Sequence, residues 1–165
     1  QSGLEVMMFW EAPIMQKAAQ YISHNNGDVL EIGFGMGICA DYIQEQGVNS
    51  HTIIEIHPQI LEKLNDWASG KSNVTIIEGD WANLSLTDTY DGIFLDTFGD
   101  DNLDSFKTFA LERIKSGGKV TYWNNESAEN NKYAFDSISY EQINVTPDEN
   151  LYFDGNVYYM PKITV

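Results

Sequence analysis

The stretch Val29-Leu-Glu-Ile-Gly-Phe-Gly-Met-Gly-Ile38 decides how this chain is read. A short apolar run ends at Glu31, and glycines follow at 33, 35 and 37. This pattern predicts a buried strand, a tight turn and a helix starting near Ile38. Gly33 can take a positive φ at the turn. Gly35 and Gly37 let backbone N–H groups approach a ligand at the helix start. The later glycine of G-x-G-x-x-G is missing, so a dinucleotide is not the first choice. The same glycines would also serve a strand–helix turn that holds no ligand.

Outward from this turn, strands alternate with helices. Upstream, Leu4 to Trp10 is rich in large apolar groups, and Pro13 suits the first turn of a helix over Ala12 to Ser23. Glu11 therefore stands just before a helix N-terminus. Downstream, a helix is predicted from Ile38 to Gln46 and a strand over Thr52 to Ile56, closed by His57-Pro58. A helix over Gln59 to Ala68 and a strand over Asn73 to Ile77 follow. Tyr90 to Leu95 is a fourth strand and Asn102 to Lys115 a helix. Ser116-Gly-Gly-Lys119 reads as a turn and Val120 to Trp123 as a fifth strand. Asn130 to Ser137 reads as a short helix. Tyr140 to Thr146 and Val157 to Val165 read as the last two strands. The implied fold is α/β: a Rossmann-like, mostly parallel sheet of about seven strands with an antiparallel strand at one end.

The 165 residues suit one domain, 1–165, with a real core. No apolar run reaches membrane-spanning length. The single cysteine, Cys39, gives no disulfide framework and no cysteine-based metal site, which suits a reducing, cytoplasmic setting. The net charge of −16 argues against a nucleic-acid partner and favours small cations.

In sheets of this kind ligands bind at the carboxyl ends of the strands. The first four strands carry acids near those ends: Glu31, Glu55, Asp80 after Glu78, and Asp96. Glu55 lies about 20 residues beyond the glycine turn, where nucleotide folds place a ribose-hydroxyl acceptor. Asp80 is a candidate acceptor for an adenine amino group, with Ile56 or Trp81 against the ring. Asp96 ends the strand nearest the crevice, where catalytic or substrate groups belong. His57 is a turn residue with no catalytic role.

The acidic-x-G-x-G-x-G spacing resembles the first motif of class I S-adenosylmethionine (SAM) methyltransferases. Longer segments resemble guanidinoacetate N-methyltransferase and related arginine N-methyltransferase domains. Val6-Met-Met-Phe-Trp-Glu-Ala-Pro-Ile-Met15 is similar to that family's V-M-x-x-W-E-T-P-Y-M. Tyr90-Asp-Gly-Ile-Phe-Leu-Asp-Thr-Phe98 is similar to its F-D-G-I-L-Y-D-T-Y. Gly79-Asp-Trp81, Gly117-Gly118 with Thr121-Tyr122, and Tyr158 to Thr164 continue the likeness. The resemblance implies SAM bound by Gly33, Phe34, Gly35, Met36, Gly37 and Ile38, with Glu55, Ile56, His57, Gly79, Asp80, Trp81 and Asp96. It implies Glu11 and Asp96 as catalytic carboxylates gripping the acceptor. Met7 and Met15 would lie near substrate and cofactor, and Asn125 and Glu126 beside the acceptor's far end. No metal is implied.

The departures matter. The family's N-terminal lid segment is short or missing, the tyrosine after D-T is Phe98, and Gly99 follows it in place of proline. Asn125-Glu126 replaces a Leu-Thr pair, and Glu126 would repel an acceptor's carboxylate. The expected function is SAM-dependent N-methylation of a small cationic guanidino or amino compound. The alternatives are a protein arginine N-methyltransferase and a SAM-binding module without turnover.

Overall fold

The computed structural model describes residues 8–98 and 103–165. Met7, the rest of the Leu4–Met7 apolar run, and Gly99 lie outside the described residues. Among these residues seven strands form one sheet: β1 Asp28–Ile32, β2 Ser50–Glu55, β3 Val74–Glu78, β4 Tyr90–Leu95, β5 Ile114–Tyr122, β6 Ser139–Asn144 and β7 Val157–Thr164. Their spatial order is β3-β2-β1-β4-β5-β7-β6. The first five pair in parallel, whereas β7 runs antiparallel to both β5 and β6. Strand order reverses beside β1, with β2 on one flank and β4 on the other, so the crevice opens over the glycine turn.

Among the described residues, four helices cover the sheet: α1 Ala12–Ile22, α2 Ile38–Glu45, α3 Pro58–Ala68 and α4 Leu103–Arg113. Alternation along the strands divides the core between the two faces. Val29 and Phe94 pack with Ile14, Ala18, Ile22 of α1 and Ile43 of α2. Ile53 packs with Ala40, Leu61 and Leu64. Their neighbours Leu30, Ile54, Ile93 and Leu95 face Phe106 and Ala110 of α4, with Trp81, Tyr122 and Tyr133. Among the described residues, no helix is long and apolar enough to cross a membrane.

Gly92 lets α1 lie close on β4, because a Cβ there would sit 2.0 Å from the Ile22 carbonyl oxygen. Asp91 beside it accepts from the Asp28 N–H at 2.8 Å and from Lys115 Nζ at 2.8 Å. Lys115 also reaches Asp28 at 2.7 Å. Hydrogen bonds from Lys115, Asn49 and Ser50 hold the Asp28 carboxyl down at about 2. The Asp-Gly pair at the start of β4 is thus structural, fastening the strand ends opposite the crevice.

Two sequence expectations are corrected. Ser116 to Lys119 does not precede the fifth strand but lies inside β5, which starts at Ile114, and the pairing with β4 shifts across it, from Tyr90 opposite Ile114 to Gly92 opposite Lys119. Gly117 takes φ +77 as an irregularity within it, and the last residue keeps the ladder going: Gly117 N–H donates to Val165 and Val165 N–H donates to the Gly118 carbonyl. Residues 130–137 form turns instead of a helix. The Asn131 side chain competes for the backbone there, accepting from Phe135 N–H at 2.9 Å and donating to its carbonyl at 2.8 Å.

Candidate functional site

The glycine turn leaves β1 with Gly33, Gly35 and Gly37 at φ +92, +57 and +79. A Cβ on Gly33 would lie 1.9 Å from the Asp96 carbonyl oxygen, so the turn rests directly on the end of β4. Gly37 is the left-handed N-cap of α2, and no side chain caps that helix. Its first N–H groups face the crevice end of the sheet, where an anion is stabilised.

Glu55 reaches back from β2 to this turn. Its Oε2 accepts from the Phe34 N–H at 3.0 Å, and its Oε1 from the N–H groups of Ile56 and His57, both at 2.9 Å. Three backbone donors therefore fix a buried carboxylate in one orientation. A carboxylate oxygen holding one donor still has a lone pair for a hydroxyl. Ile56 and Met36 remain exposed on either side, although both are large and apolar. Gly79, at φ +149, donates its N–H to the Glu55 carbonyl at 2.9 Å and brings the end of β3 alongside.

Asp80 caps the 3-10 turn Trp81–Asn83, accepting from Ala82 N–H at 3.0 Å and Asn83 Nδ2 at 2.7 Å. Trp81 is buried edge-on against Phe106 and Phe109. Its ring belongs to the core packing under α4, so of the two residues expected against an adenine ring Ile56 is the exposed one.

The acceptor side is built from opposite ends of the chain. A 3-10 turn, Phe9–Glu11, leads straight into α1, with Pro13 in the first helical turn. Trp10 and Glu11 are consequently buried. Glu11 Oε1 accepts from the Met8 N–H at 3.0 Å and from the Tyr152 hydroxyl. Burial raises the Glu11 carboxyl, and the bonds from Tyr152 and Met8 oppose that rise. Asp96 follows β4, tied by its N–H to the Ile32 carbonyl at 2.9 Å. Burial, then the charges of Glu11 and Glu31, push its carboxyl up to about 7, with Lys132 opposing. The charge of Glu11 thus bears on Asp96, second to burial.

Glu31 is not part of an acidic rim. It is buried within β1, and its Oε2 meets His51 Nε2 at 2.8 Å. Burial raises its carboxyl, while His51 opposes the rise.

The remaining candidates fall in different places. Met15 is wholly buried in the α1 core. Asn125 and Glu126 are exposed. Their neighbour Asn124 is wholly buried, its Nδ2 donating to the carbonyls of Ala128 and Tyr159 at 2.8 and 2.9 Å. Asn124 and Tyr152 were not found from the sequence. Asn124 adjoined a noted pair, whereas Tyr152 lies in a loop with no periodic signal.

Comparison with known proteins gives the chain a family. The guanidinoacetate N-methyltransferase family profile matches residues 2–149. The chain belongs to the guanidinoacetate N-methyltransferase family. It is a family of SAM-dependent methyltransferases. Protein arginine N-methyltransferase 2 of Kluyveromyces lactis is 38% identical over 139 residues, covering 75% of this chain and 34% of that protein. Its Saccharomyces cerevisiae counterpart is 33% identical over 195 residues, covering 96% and 47%. This family member therefore spans between a third and a half of those relatives.

Solved structures share the fold. The N-methyltransferase NodS from Bradyrhizobium japonicum WM9 superimposes with TM-score 0.73 at 11% identity, covering 94% of this chain and 96% of that one. Its complex with S-adenosyl-L-homocysteine gives TM-score 0.71. Spermidine synthase from Thermotoga maritima gives 0.72 at 14% identity, covering 93% and 60%.

Proposed function

We propose that this chain is an N-methyltransferase that moves a methyl group from SAM to a guanidino or amino nitrogen of a small cationic compound. The observation that carries this reading is the meeting of Glu11 and Asp96. They stand 85 positions apart in sequence, yet the charge of buried Glu11 reaches the Asp96 carboxyl, whose backbone carbonyl lies against the glycine turn. Two neighbouring carboxylates repel unless a cation joins them. A guanidinium offers N–H donors in a planar fork that suits paired, charge-assisted bonds.

SAM, when bound, supplies an electrophilic methyl group. The residues present suit it: the uncapped start of α2 for its carboxylate, Glu55 for its ribose hydroxyls and Ile56 for its adenine. Glu11 and Asp96 orient the acceptor and hold one of its nitrogens still. Such positioning supplies several kcal/mol of acceleration, on the order of 7–11 in the best cases. Asp96, with its carboxyl near 7, takes up the proton that the acceptor nitrogen loses. Glu11 stays the fixed anchor, because two donors hold one of its oxygens.

The curated relatives favour a second reading, an arginine side chain of a protein as acceptor. The test is methyl transfer from radiolabelled SAM to a panel of free guanidino compounds, simple amines and arginine-containing peptides, with products placed by mass spectrometry. Methylated guanidino or amino nitrogen on small compounds supports the proposal. Transfer to peptides alone selects the second reading. SAM binding with no transfer to any of them leaves a binding module without turnover.

A further inference from the structure

The loop between β6 and β7 reaches the acceptor carboxylate from the other end of the chain. Asn150 shapes it: Oδ1 accepts from the N–H groups of Tyr152 at 3.1 Å and Phe153 at 2.8 Å, and Nδ2 donates to the Asp148 carbonyl at 2.8 Å. This short turn sends two rings into the apolar cluster around Trp10. Phe153 is buried, 5.4 Å from Trp10 between centroids. Tyr152 stacks on Trp10 at 6.1 Å and 26°, and meets Trp123 edge-on at 6.2 Å. Stacking of this kind fixes the ring plane and so the direction of its hydroxyl. That hydroxyl donates to Glu11 Oε1, across 141 positions of sequence.

Among the described residues, both hydrogen bonds to Glu11 fall on the same oxygen, from Met8 N–H and Tyr152 O–H. One oxygen is occupied and the carboxylate plane is set. A carboxylate held by one oxygen can present only the other to an incoming N–H donor. We propose that Tyr152 is a positioning residue for the acceptor. By occupying Oε1 it turns Oε2 of Glu11 toward the acceptor, so the β6–β7 loop completes the site. This rests on the acceptor reading of Glu11 given above. Tyr152 takes no part in bond making, and acts through Glu11.

Tyr152→Phe keeps the ring stack and removes only the hydroxyl. Hydrogen bonds to a charged group are strong enough that kcat/KM for the acceptor should fall about ten- to a hundredfold. SAM affinity by calorimetry should stay unchanged. Carbon NMR of labelled glutamate carboxyls should show Glu11 titrating at higher pH in Tyr152→Phe, since a bond that favours its charged form is gone. Asp96, whose carboxyl the charge of Glu11 raises, is present in both proteins. Tyr152→Leu removes the ring as well and measures the packing contribution through thermal stability. If Tyr152→Phe matches the wild type in kcat/KM and Glu11 titrates unchanged, Tyr152 is not a positioning residue. If the wild type transfers methyl to no compound on the panel, the acceptor reading fails first, and the Glu11 titration still decides whether Tyr152 holds that carboxylate.

Discussion

Replacing Gly33 by alanine tests the joint between the glycine turn and the end of β4. Two effects add at this position. The residue sits at φ +92, where an L side chain carries strain of about 1–2 kcal/mol. Its Cβ would also lie 1.9 Å from the Asp96 carbonyl oxygen, whereas ordinary contact begins at 3.4 Å. The backbone of Asp96 must therefore retreat by 3.4 − 1.9 = 1.5 Å, or the turn must lift by as much. Gly47 supplies the control. It has φ +69 and nothing within 4 Å of its added Cβ, so Gly47→Ala meets strain without collision. We expect Gly47→Ala to lose about 1–2 kcal/mol and Gly33→Ala about 3–5 kcal/mol. For a chain of this size each kcal/mol lowers Tm by about 2–4 °C. Gly33→Ala should thus melt about 6–20 °C below wild type and Gly47→Ala about 2–8 °C below. A displacement above 1 Å at a reacting group also costs roughly a hundredfold in turnover. Thermal unfolding followed by circular dichroism, with turnover on the same samples, measures both. Equal melting temperatures and equal turnover for the two variants would refute the claim that Gly33 rests on Asp96.

Two further predictions follow from the carboxylates. Glu55→Ala should weaken SAM binding by about 1–3 kcal/mol, because a charged acceptor is lost and three N–H groups lose their partner; unchanged affinity in calorimetry would remove Glu55 from the site. Asp96 rises in the folded protein from 3.8 to about 7, so between those values the folded state holds a proton that the unfolded state has released. Stability without ligand should therefore fall as pH rises from 4 toward 7, by about 2 kcal/mol once screening at this partly exposed group is allowed for. Glu11, raised in the same direction, adds to the slope. Asp96→Asn should flatten it, and denaturant titrations across that range would show whether it does.

Most of the sheet could be read in the sequence because apolar runs, glycines and prolines punctuate it locally. The turn after Ile32, the start of α3 at Pro58 and the strand from Tyr90 to Leu95 all carry such marks. Gly117-Gly118 misled for the same local reason. Glycine pairs signal a turn, yet the distant Val165 holds them in β5. Asn131 likewise diverted a helical composition into turns through side-chain bonds that no periodicity reports. Around the candidate site, the position of Glu55 against the glycine turn followed from its spacing after that turn. Glu31 did not, because its partner His51 belongs to another strand and only the sheet register brings the two together. Tyr152 was out of reach, since its meaning depends on a contact across 141 positions.

In the proposed reaction Glu11 and Asp96 jointly hold the methyl acceptor. The most direct test of this is Glu11→Gln and Asp96→Asn, assayed side by side for methyl transfer to the acceptor that the wild type uses and for SAM affinity by calorimetry. Each substitution keeps the side chain's size and removes its charge. Methyl transfer should be abolished in both variants while SAM affinity stays close to wild type. Wild-type turnover in both would contradict the claim, leaving Glu11 as the start of a helix and Asp96 as the end of a strand.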